Sequence, residues 1–135
     1  MVFAVTTRPR VTGPLEYAVM VALWELGTAT APEVHARVGE PNQLAYTTTA
    51  KVLDRLRAKG LCSRLRLGKA YSYTAEVTRE DVDRARARDT VTHLIADDPV
   101  PAIACLVEAI EAIDPELLAE LARATAARRK GRHGS

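Results

Sequence analysis

Apolar and polar positions recur with a helical period between Leu44 and Gly60, in the stretch LAYTTTAKVLDRLRAKG. One side of the predicted helix is apolar or small, at i, i+3 and i+4 spacing: Thr48, Thr49, Val52, Leu53 and Leu56. The other side is polar: Thr47, Lys51, Asp54, Arg55 and Arg57. The pattern predicts an amphipathic helix with one face on a core and the other in solvent.

Two helical patterns precede this segment. The first begins at Pro14, in PLEYAVMVALWEL, and ends before Gly27. Thr28 and Ala29 are compatible with a very short strand. The four residues Thr30 to Glu33 then match the capping-box pattern, in which a threonine hydroxyl and a glutamate carboxylate bond each other's backbone amides. This pattern predicts a second helix from about Ala31 to Val38.

The period changes to two after the central helix. Leu61 to Leu67 and Ala70 to Thr74 alternate on either side of Gly68 and Lys69, which predicts a β-hairpin with a tight glycine turn. Arg64 and Arg66 fall on one face of the first strand, and Lys69 lies at the tip. The sequence thus predicts a hairpin that carries three cations.

Three further helical segments follow the hairpin: Thr78 to about Ala96, Val100 to Ile113, and Asp114 to about Arg128. They share an apolar stripe: Val91, Leu94, Ile103, Leu106, Val107, Ile110, Leu117 and Leu121. Helices this short cannot bury such a stripe against one another alone. A two-fold homodimer through residues 78–125 would bury it. The alternative is a monomer whose C-terminal helices fold back on the first part of the chain.

Charge is distributed unevenly along the 135 residues. Residues 1–75 carry ten Lys and Arg against five Asp and Glu, whereas residues 76–127 carry five against twelve. Four more cations lie in the last eight residues. This asymmetry indicates a basic part that meets a polyanion and an acidic part with another role.

Composition excludes several classes of protein. A hydrophobic content of 47% can furnish a core, and no apolar run approaches the roughly 20 residues that span a bilayer. The start of the chain lacks the pattern of a secretion signal, so we expect a cytoplasmic protein that is not inserted in a membrane. Cys62 and Cys105 form no metal-binding pattern, and we expect both to be small buried residues. The sequence indicates no metal and no cofactor.

The first two helical patterns and the central helix predict a helix-turn-helix arrangement. Short hydroxyls and free amides at the start of the central helix suit phosphates, and its lysine and arginines can reach bases in the major groove of double-stranded DNA. The hairpin cations would lie along phosphates. The predicted DNA contacts are Thr47, Thr48, Lys51, Arg55, Arg64, Arg66, Lys69, Arg10 and Thr30. The ordinary alternatives are a surface helix and a charged edge hairpin that avoids aggregation.

These patterns divide the chain into three parts. Residues 1–77 form the predicted DNA-binding domain, with a loose arm at residues 1–13. Residues 78–128 form the predicted helical dimerisation region, and residues 129–135 a disordered basic tail.

Two other function classes are open to such a chain. An enzyme is disfavoured, because the three histidines lie at neither triad nor metal spacing and no nucleotide-binding fingerprint is present. A protein-interaction adaptor that uses this fold without specific DNA binding is the main alternative. Salt-dependent affinity for duplex DNA separates an adaptor from a DNA-binding protein.

Spaced motifs carry a resemblance to a known family. They comprise Glu16-x-x-Val19-Met20-x-x-Leu23-Trp24, then Ala45-Tyr46-Thr47-Thr48, then Val52-Leu53-x-Arg55-Leu56-x-x-Lys59-Gly60, then Gly68-Lys69-Ala70-Tyr71-x-Tyr73. Over about residues 14–77 the chain resembles the penicillinase-repressor (BlaI/MecI/CopY) family of winged-helix transcriptional repressors. The resemblance implies a mostly α fold with a small β-hairpin, in which a winged helix-turn-helix domain precedes a C-terminal helical dimerisation region.

The same resemblance implies a function. It implies a homodimer whose recognition helices enter successive major grooves of a palindromic operator. In many members, a membrane-bound metalloprotease sensor triggers cleavage in the C-terminal region and releases the repressor. That cleavage falls at an Asn–Phe bond, aligned near Ala104 to Val107, where this chain has no such pair. Copper-responsive members carry a C-terminal cysteine cluster, whereas this chain has only Cys105 there.

Overall fold

The computed structural model describes residues 10–133, in two compact units that meet in sequence between Asp89 and Thr90. The first unit contains α1 (Gly13–Leu26), β1 (Thr28–Thr30), α2 (Ala31–Val34), α3 (Tyr46–Ala58), β2 (Cys62–Leu67), β3 (Ala70–Ala75) and most of α4 (Arg79–Leu94). The second contains the end of α4, α5 (Pro99–Ile113) and α6 (Pro115–His133). The predicted fold class, a winged helix-turn-helix followed by C-terminal helices, is confirmed.

The strands form one antiparallel sheet in the order β1-β3-β2. The hairpin of β2 and β3, Cys62–Ala75, is called the wing below, and its turn contains Gly68 with φ of 66°. That backbone conformation favours glycine, because a Cβ is strained there. Thr28 to Thr30 pair with Thr74 to Ser72, so the very short strand predicted before α2 is also present.

The helix predicted from about Ala31 to Val38 is present, but only its first part, α2, is α-helical. Its capping box is present, since Thr30 and Glu33 bond each other's backbone amides, but the α-helix ends at Val34. The chain continues as a π-helix over His35–Gly39 and a 3₁₀ turn over Glu40–Asn42. The distortion coincides with a close approach: a Cβ at Gly39 would collide with the His35 ring.

The core of the first unit lies between α1, α3 and the sheet. Its largest fully buried side chains come from several elements: Met20, Leu23, Leu53, Leu56, Val19, Val34, Val52, Val82 and Thr49. Val11 is also buried. The predicted loose arm is therefore wrong at Val11, whose side chain packs on this core, while residues 1–9 lie outside the described residues.

The N-terminal half of α4 belongs to the first unit. Val82 is fully buried, the Tyr17 hydroxyl donates to Asp83 at 2.7 Å, and the Trp24 indole donates to the Val77 carbonyl at 2.9 Å. Trp24 also packs against the core of this unit. The compact unit therefore extends beyond residue 77. The predicted boundary between the DNA-binding domain and the dimerisation region at that residue concerns function and stays a prediction.

The second unit ends in a longer helix than predicted. Asp114 caps α6 by accepting the Glu116 amide at 3.0 Å, and the helix runs through His133 instead of ending near Arg128. Residues 129–133 are therefore helical and not disordered, whereas residues 134–135 lie outside the described part. Arginine and lysine favour helix, and cations near a helix C-terminus interact favourably with its dipole.

The two cysteines differ in their exposure. Cys62 is buried as predicted, but Cys105 is exposed on α5, so its predicted burial is wrong. The sequence could not show this, because a residue of α5 is buried only if another segment covers it. Over residues 10–133, no helix is long and apolar enough to cross a bilayer.

Candidate nucleic-acid interface

Helix α3 presents the two faces that its sequence predicts. Thr49, Val52, Leu53 and Leu56 are buried, and the polar side is exposed: Thr47, Lys51, Asp54, Arg55 and Arg57. Thr48 is half-buried. Among the described residues, no side chain caps the start of α3, so its first amides and positive dipole end remain suited to an anion.

A buried carboxylate in α1 holds the other end of α3. Glu16 is 2% exposed, and its Oε1 accepts from the Thr12 amide at 3.0 Å, the Thr12 hydroxyl at 3.2 Å and Lys59 Nζ at 2.8 Å. Its Oε2 accepts from Arg55 Nε at 3.1 Å. Glu16 therefore connects the start of α1 to Arg55 in α3 and to Lys59, the residue that follows α3.

The hydrogen bonds of Glu16 change its titration. Burial raises the pKa of the Glu16 carboxyl, but the hydrogen bonds from Lys59, the Thr12 amide and Arg55 outweigh burial and hold the pKa below its ordinary value. The carboxyl is therefore ionised at neutral pH. Glu16 belongs to the first of the spaced sequence motifs, but no role for it is predicted from the sequence. The signal was an acid within an otherwise apolar helical stretch.

Two of the three wing cations already have partners within the chain. Arg64 stacks over the Tyr71 ring at 3.9 Å and lies 3.9 Å from the Asp54 carboxylate, and a hydrogen bond with Tyr73 raises the pKa of Arg64. Arg66 Nε donates to the Gly68 carbonyl at 3.2 Å. Lys69 is exposed at the tip. Arg64 and Arg66 pair with Tyr73 and Tyr71, which places both on one face of β2 as predicted.

The other two predicted contacts have different surroundings. Arg10 is exposed, and its carbonyl accepts from Lys59 Nζ at 3.4 Å. The Thr30 hydroxyl donates to the Glu33 carboxylate at 3.1 Å and accepts from the Glu33 amide at 3.4 Å. The structure thus gives Thr30 a capping role, and its contact with DNA stays a prediction.

The comparisons with known proteins bear on this surface. The family described as "Penicillinase repressor" matches residues 12–127. The transcriptional regulator BlaI of Mycobacterium tuberculosis, in strains CDC 1551 / Oshkosh and ATCC 25618 / H37Rv, is 32% identical over 124 residues, or 91% of this chain and 88% of the relative. The chain belongs to the penicillinase repressor family. It is therefore a DNA-binding transcriptional repressor and not an enzyme.

The fold of the repressor is similar to a solved structure of a family member. The match is to the solution structure of the DNA-binding domain of the repressor BlaI. It covers 55% of this chain and 89% of the BlaI chain, with 23% sequence identity and a TM-score of 0.50. This likeness supports the winged-helix fold alone.

Two further contacts of the repressor were not predicted from its sequence. His35 Nδ1 lies 2.8 Å from the Thr49 hydroxyl, and its ring meets Tyr46 edge-on at 5.4 Å between centroids. These contacts tie the segment after α2 to the start of α3.

In the part of the repressor that the structure describes, no three His, Cys, Asp or Glu side chains are grouped to hold a metal. Burial raises the pKa of the Cys62 thiol to about 11, which makes it unreactive.

Replacing Glu16 of the repressor with glutamine is expected to lower the free energy of unfolding by about 1–3 kcal/mol at neutral pH, because Thr12, Lys59 and Arg55 lose a charged, buried acceptor. The pKa of Glu16 is lower in the folded chain, so its contribution is fully present above the unfolded pKa, about 4.3, and is lost as pH falls through the folded pKa. Urea unfolding of both proteins at neutral and acidic pH measures this.

The matched control is Glu25→Gln, which removes an exposed carboxylate of the same helix that pairs with Arg37 at 2.7 Å. An exposed pair contributes only about 0–1 kcal/mol, so the control should change little. If the difference in free energy of unfolding between wild type and Glu16→Gln becomes larger at acidic pH, the stabilising role of the ionised Glu16 carboxylate is wrong.

Proposed function

We propose that the repressor binds a palindromic operator as a homodimer, with α3 of each subunit in a major groove and the wing along the flanking phosphates. The observation that carries this proposal is the exposed polar face of α3, with Lys51 and Arg55 outward on a helix whose other face is anchored in the core. A rigid helix is the element that this kind of fold inserts into the major groove.

The residues of α3 suggest separate roles. Thr47 and Thr48 lie in its first turn, where hydroxyls and backbone amides can bond phosphates. Lys51 and Arg55 lie one and two turns further on, and both can donate hydrogen bonds to guanine in the major groove. We infer that the start of the helix positions the repressor and that Lys51 and Arg55 read bases.

The wing supports phosphate contacts better than base contacts. Arg64 is held by Tyr71 and Asp54, so its charge is fixed beside α3 and its side chain is only 28% exposed. Arg66 and Lys69 are exposed near the tip, and we infer that Arg10 adds a further cation. Cations on a hairpin contribute mainly affinity that is independent of sequence.

Exposed apolar side chains of the second unit support a dimer. Val91, Leu94, Ile103, Leu117 and Leu121 are between 38% and 51% exposed, and Leu106, Val107 and Ile110 are half-buried. Apolar area left in water costs roughly 25 cal/mol per Å². A second copy of the chain, related by a two-fold axis, would cover the same residues on both subunits and place two recognition helices about one DNA turn apart.

Release of the repressor is the remaining part of the proposal. Family resemblance supports a signal from a membrane metalloprotease sensor. Because the chain has no Asn–Phe pair, cleavage at the bond used by cleavable relatives is not proposed. A gene for a membrane metalloprotease beside the repressor gene would support this signal. A DNA-binding regulator with these partners would act in the cytoplasm.

The experiment that tests DNA recognition is selection of bound sequences from randomised duplexes, followed by affinity measurements at several salt concentrations. We expect a palindromic site bound at least about 10³-fold more tightly than random duplex. Affinity should fall steeply with salt because bound cations release counterions. Equal weak binding to all duplexes, without a steep salt dependence, would indicate the adaptor function instead.

Neutralising the wing is expected to weaken operator and random duplex alike. In the variants Arg66→Gln and Lys69→Gln, each lost phosphate contact should reduce the salt slope by about 0.9, or about 1.8 for a dimer. Fluorescence anisotropy with both duplexes measures the slope, and Arg84→Gln on α4 serves as the control. A wing variant that loses discrimination but keeps its salt slope would show that the wing reads bases.

A further inference from the structure

We propose that Glu16 is a positioning residue for DNA recognition: it holds the guanidinium of Arg55 by Nε, so that the terminal nitrogens are presented to the operator. The inference rests on the proposed function, because it takes Arg55 as a DNA contact. It adds a residue of α1 that does not itself touch DNA and acts through another side chain.

The geometry fixes the carboxylate from several directions. Thr12 and Lys59 occupy Oε1, and Arg55 Nε occupies Oε2 at 3.1 Å. Glu16 lies in α1, whose neighbouring side chains Val19 and Met20 are fully buried, so the helix that carries it is itself held by the core. A carboxylate with both oxygens engaged on a packed helix offers Arg55 a fixed point of attachment.

The chemistry of arginine lets one side chain serve two partners. A guanidinium has five N–H donors in a planar fork, and Glu16 takes the single donor at Nε. The Arg55 side chain is 57% exposed, so the rest of the fork can reach solvent. Because part of its rotamer freedom is already lost in the free protein, Arg55 loses less conformational entropy on binding DNA.

The charges are also compatible with DNA binding. Glu16 pairs with two cations, Arg55 at 3.1 Å and Lys59 at 2.8 Å, so the cluster keeps a net positive charge. A carboxylate with Arg55 as its sole partner would cancel the charge that attracts the phosphates. Lys59 thus allows Glu16 to orient Arg55 without making this part of α3 neutral.

The test is a double-mutant cycle in the full-length repressor, with Glu16→Gln, Arg55→Ala and the double variant. Operator affinity is measured by anisotropy at fixed salt, at a temperature where circular dichroism shows every variant folded. We expect Arg55→Ala to weaken binding about 10-fold or more and Glu16→Gln to weaken it several-fold. The double variant should bind no more weakly than Arg55→Ala, because Glu16 then has no arginine to orient.

If Glu16 had only a structural role, the stability and affinity measurements would give a different result. Loss of the Thr12 and Lys59 hydrogen bonds would lower stability whether or not Arg55 is present, without an effect on affinity while the chain is folded. Unfolding of the same four proteins therefore separates stability from binding. Glu25→Gln removes the same charge from an exposed position of α1 and should leave affinity unchanged.

Two outcomes would overturn the inference in distinguishable ways. If Arg55→Ala binds like wild type, the proposed contact of Arg55 with DNA is wrong, and so is the positioning role. If Arg55→Ala weakens binding but folded Glu16→Gln does not, only the positioning role is wrong.

A second variant decides the matter even if Glu16→Gln does not fold. In Arg55→Lys the charge is kept, but a single ammonium cannot hold Glu16 and also present a planar fork to DNA. We expect Arg55→Lys to bind nearly as weakly as Arg55→Ala. Wild-type affinity of the lysine variant would show that charge alone suffices and would overturn the inference.

Discussion

Replacing Leu106 and Ile110 with glutamate is expected to convert the repressor into a monomer that binds its operator on the order of 10³-fold more weakly, because each subunit then reaches only one half-site. Both residues are half-buried on α5, one turn apart and therefore on the same helix face. In a two-fold interface each substitution occurs twice, which brings four carboxylates into apolar surroundings.

Sedimentation at micromolar concentration measures the oligomeric state, and circular dichroism shows whether the first unit stays folded. The first unit has its own core, so its unfolding transition should persist in the monomer. Ala112→Glu places one carboxylate at an exposed position on the other side of α5 and is the matched control. A wild-type repressor that sediments as a monomer with full operator affinity would rule out this role of the second unit.

Replacing Lys51 with alanine is expected to weaken operator binding by about 1–3 kcal/mol for each guanine contact, and by about twice that in the dimer. Lys51 is exposed on the outer face of α3, while its neighbours Val52 and Leu53 are fully buried, so its removal should not disturb the core. The loss should be selective for one base position and should persist when salt is raised.

Binding to operators with single base changes measures this selectivity. Arg37→Ala removes an exposed cation after α2 that pairs with Glu25, and it should alter affinity much less. If Lys51→Ala and Arg55→Ala both retain wild-type affinity, α3 is not the element that reads the operator.

The local sequence pattern was sufficient to predict the helix and the hairpin that form the candidate DNA interface. The two faces of α3 follow from the spacing of Val52, Leu53 and Leu56, because helical periodicity alone decides which side chains share a face. The wing follows from alternation around Gly68, where a tight turn needs positive φ. Neighbours in sequence determine these features, so the sequence was enough to predict them.

Tertiary structure alone decided which charges meet. Glu16 lies 39 residues from Arg55 and 43 from Lys59, and no short-range pattern relates them. The contact between His35 and Thr49 depends in the same way on how the segment after α2 packs against α3. A charged side chain in a sequence has many possible partners, and only the packing of the core selects one.

The sequence by itself therefore determined the order of helices and strands, the outward face of α3 and the position of the wing, because these depend on local conformational preference and periodicity. Only the tertiary structure decided that Glu16 is buried and ionised beneath Arg55, and that Arg64 is stacked on Tyr71. The reason is physical: burial and ion pairing depend on which distant segments pack together, and each becomes defined only when the core has formed.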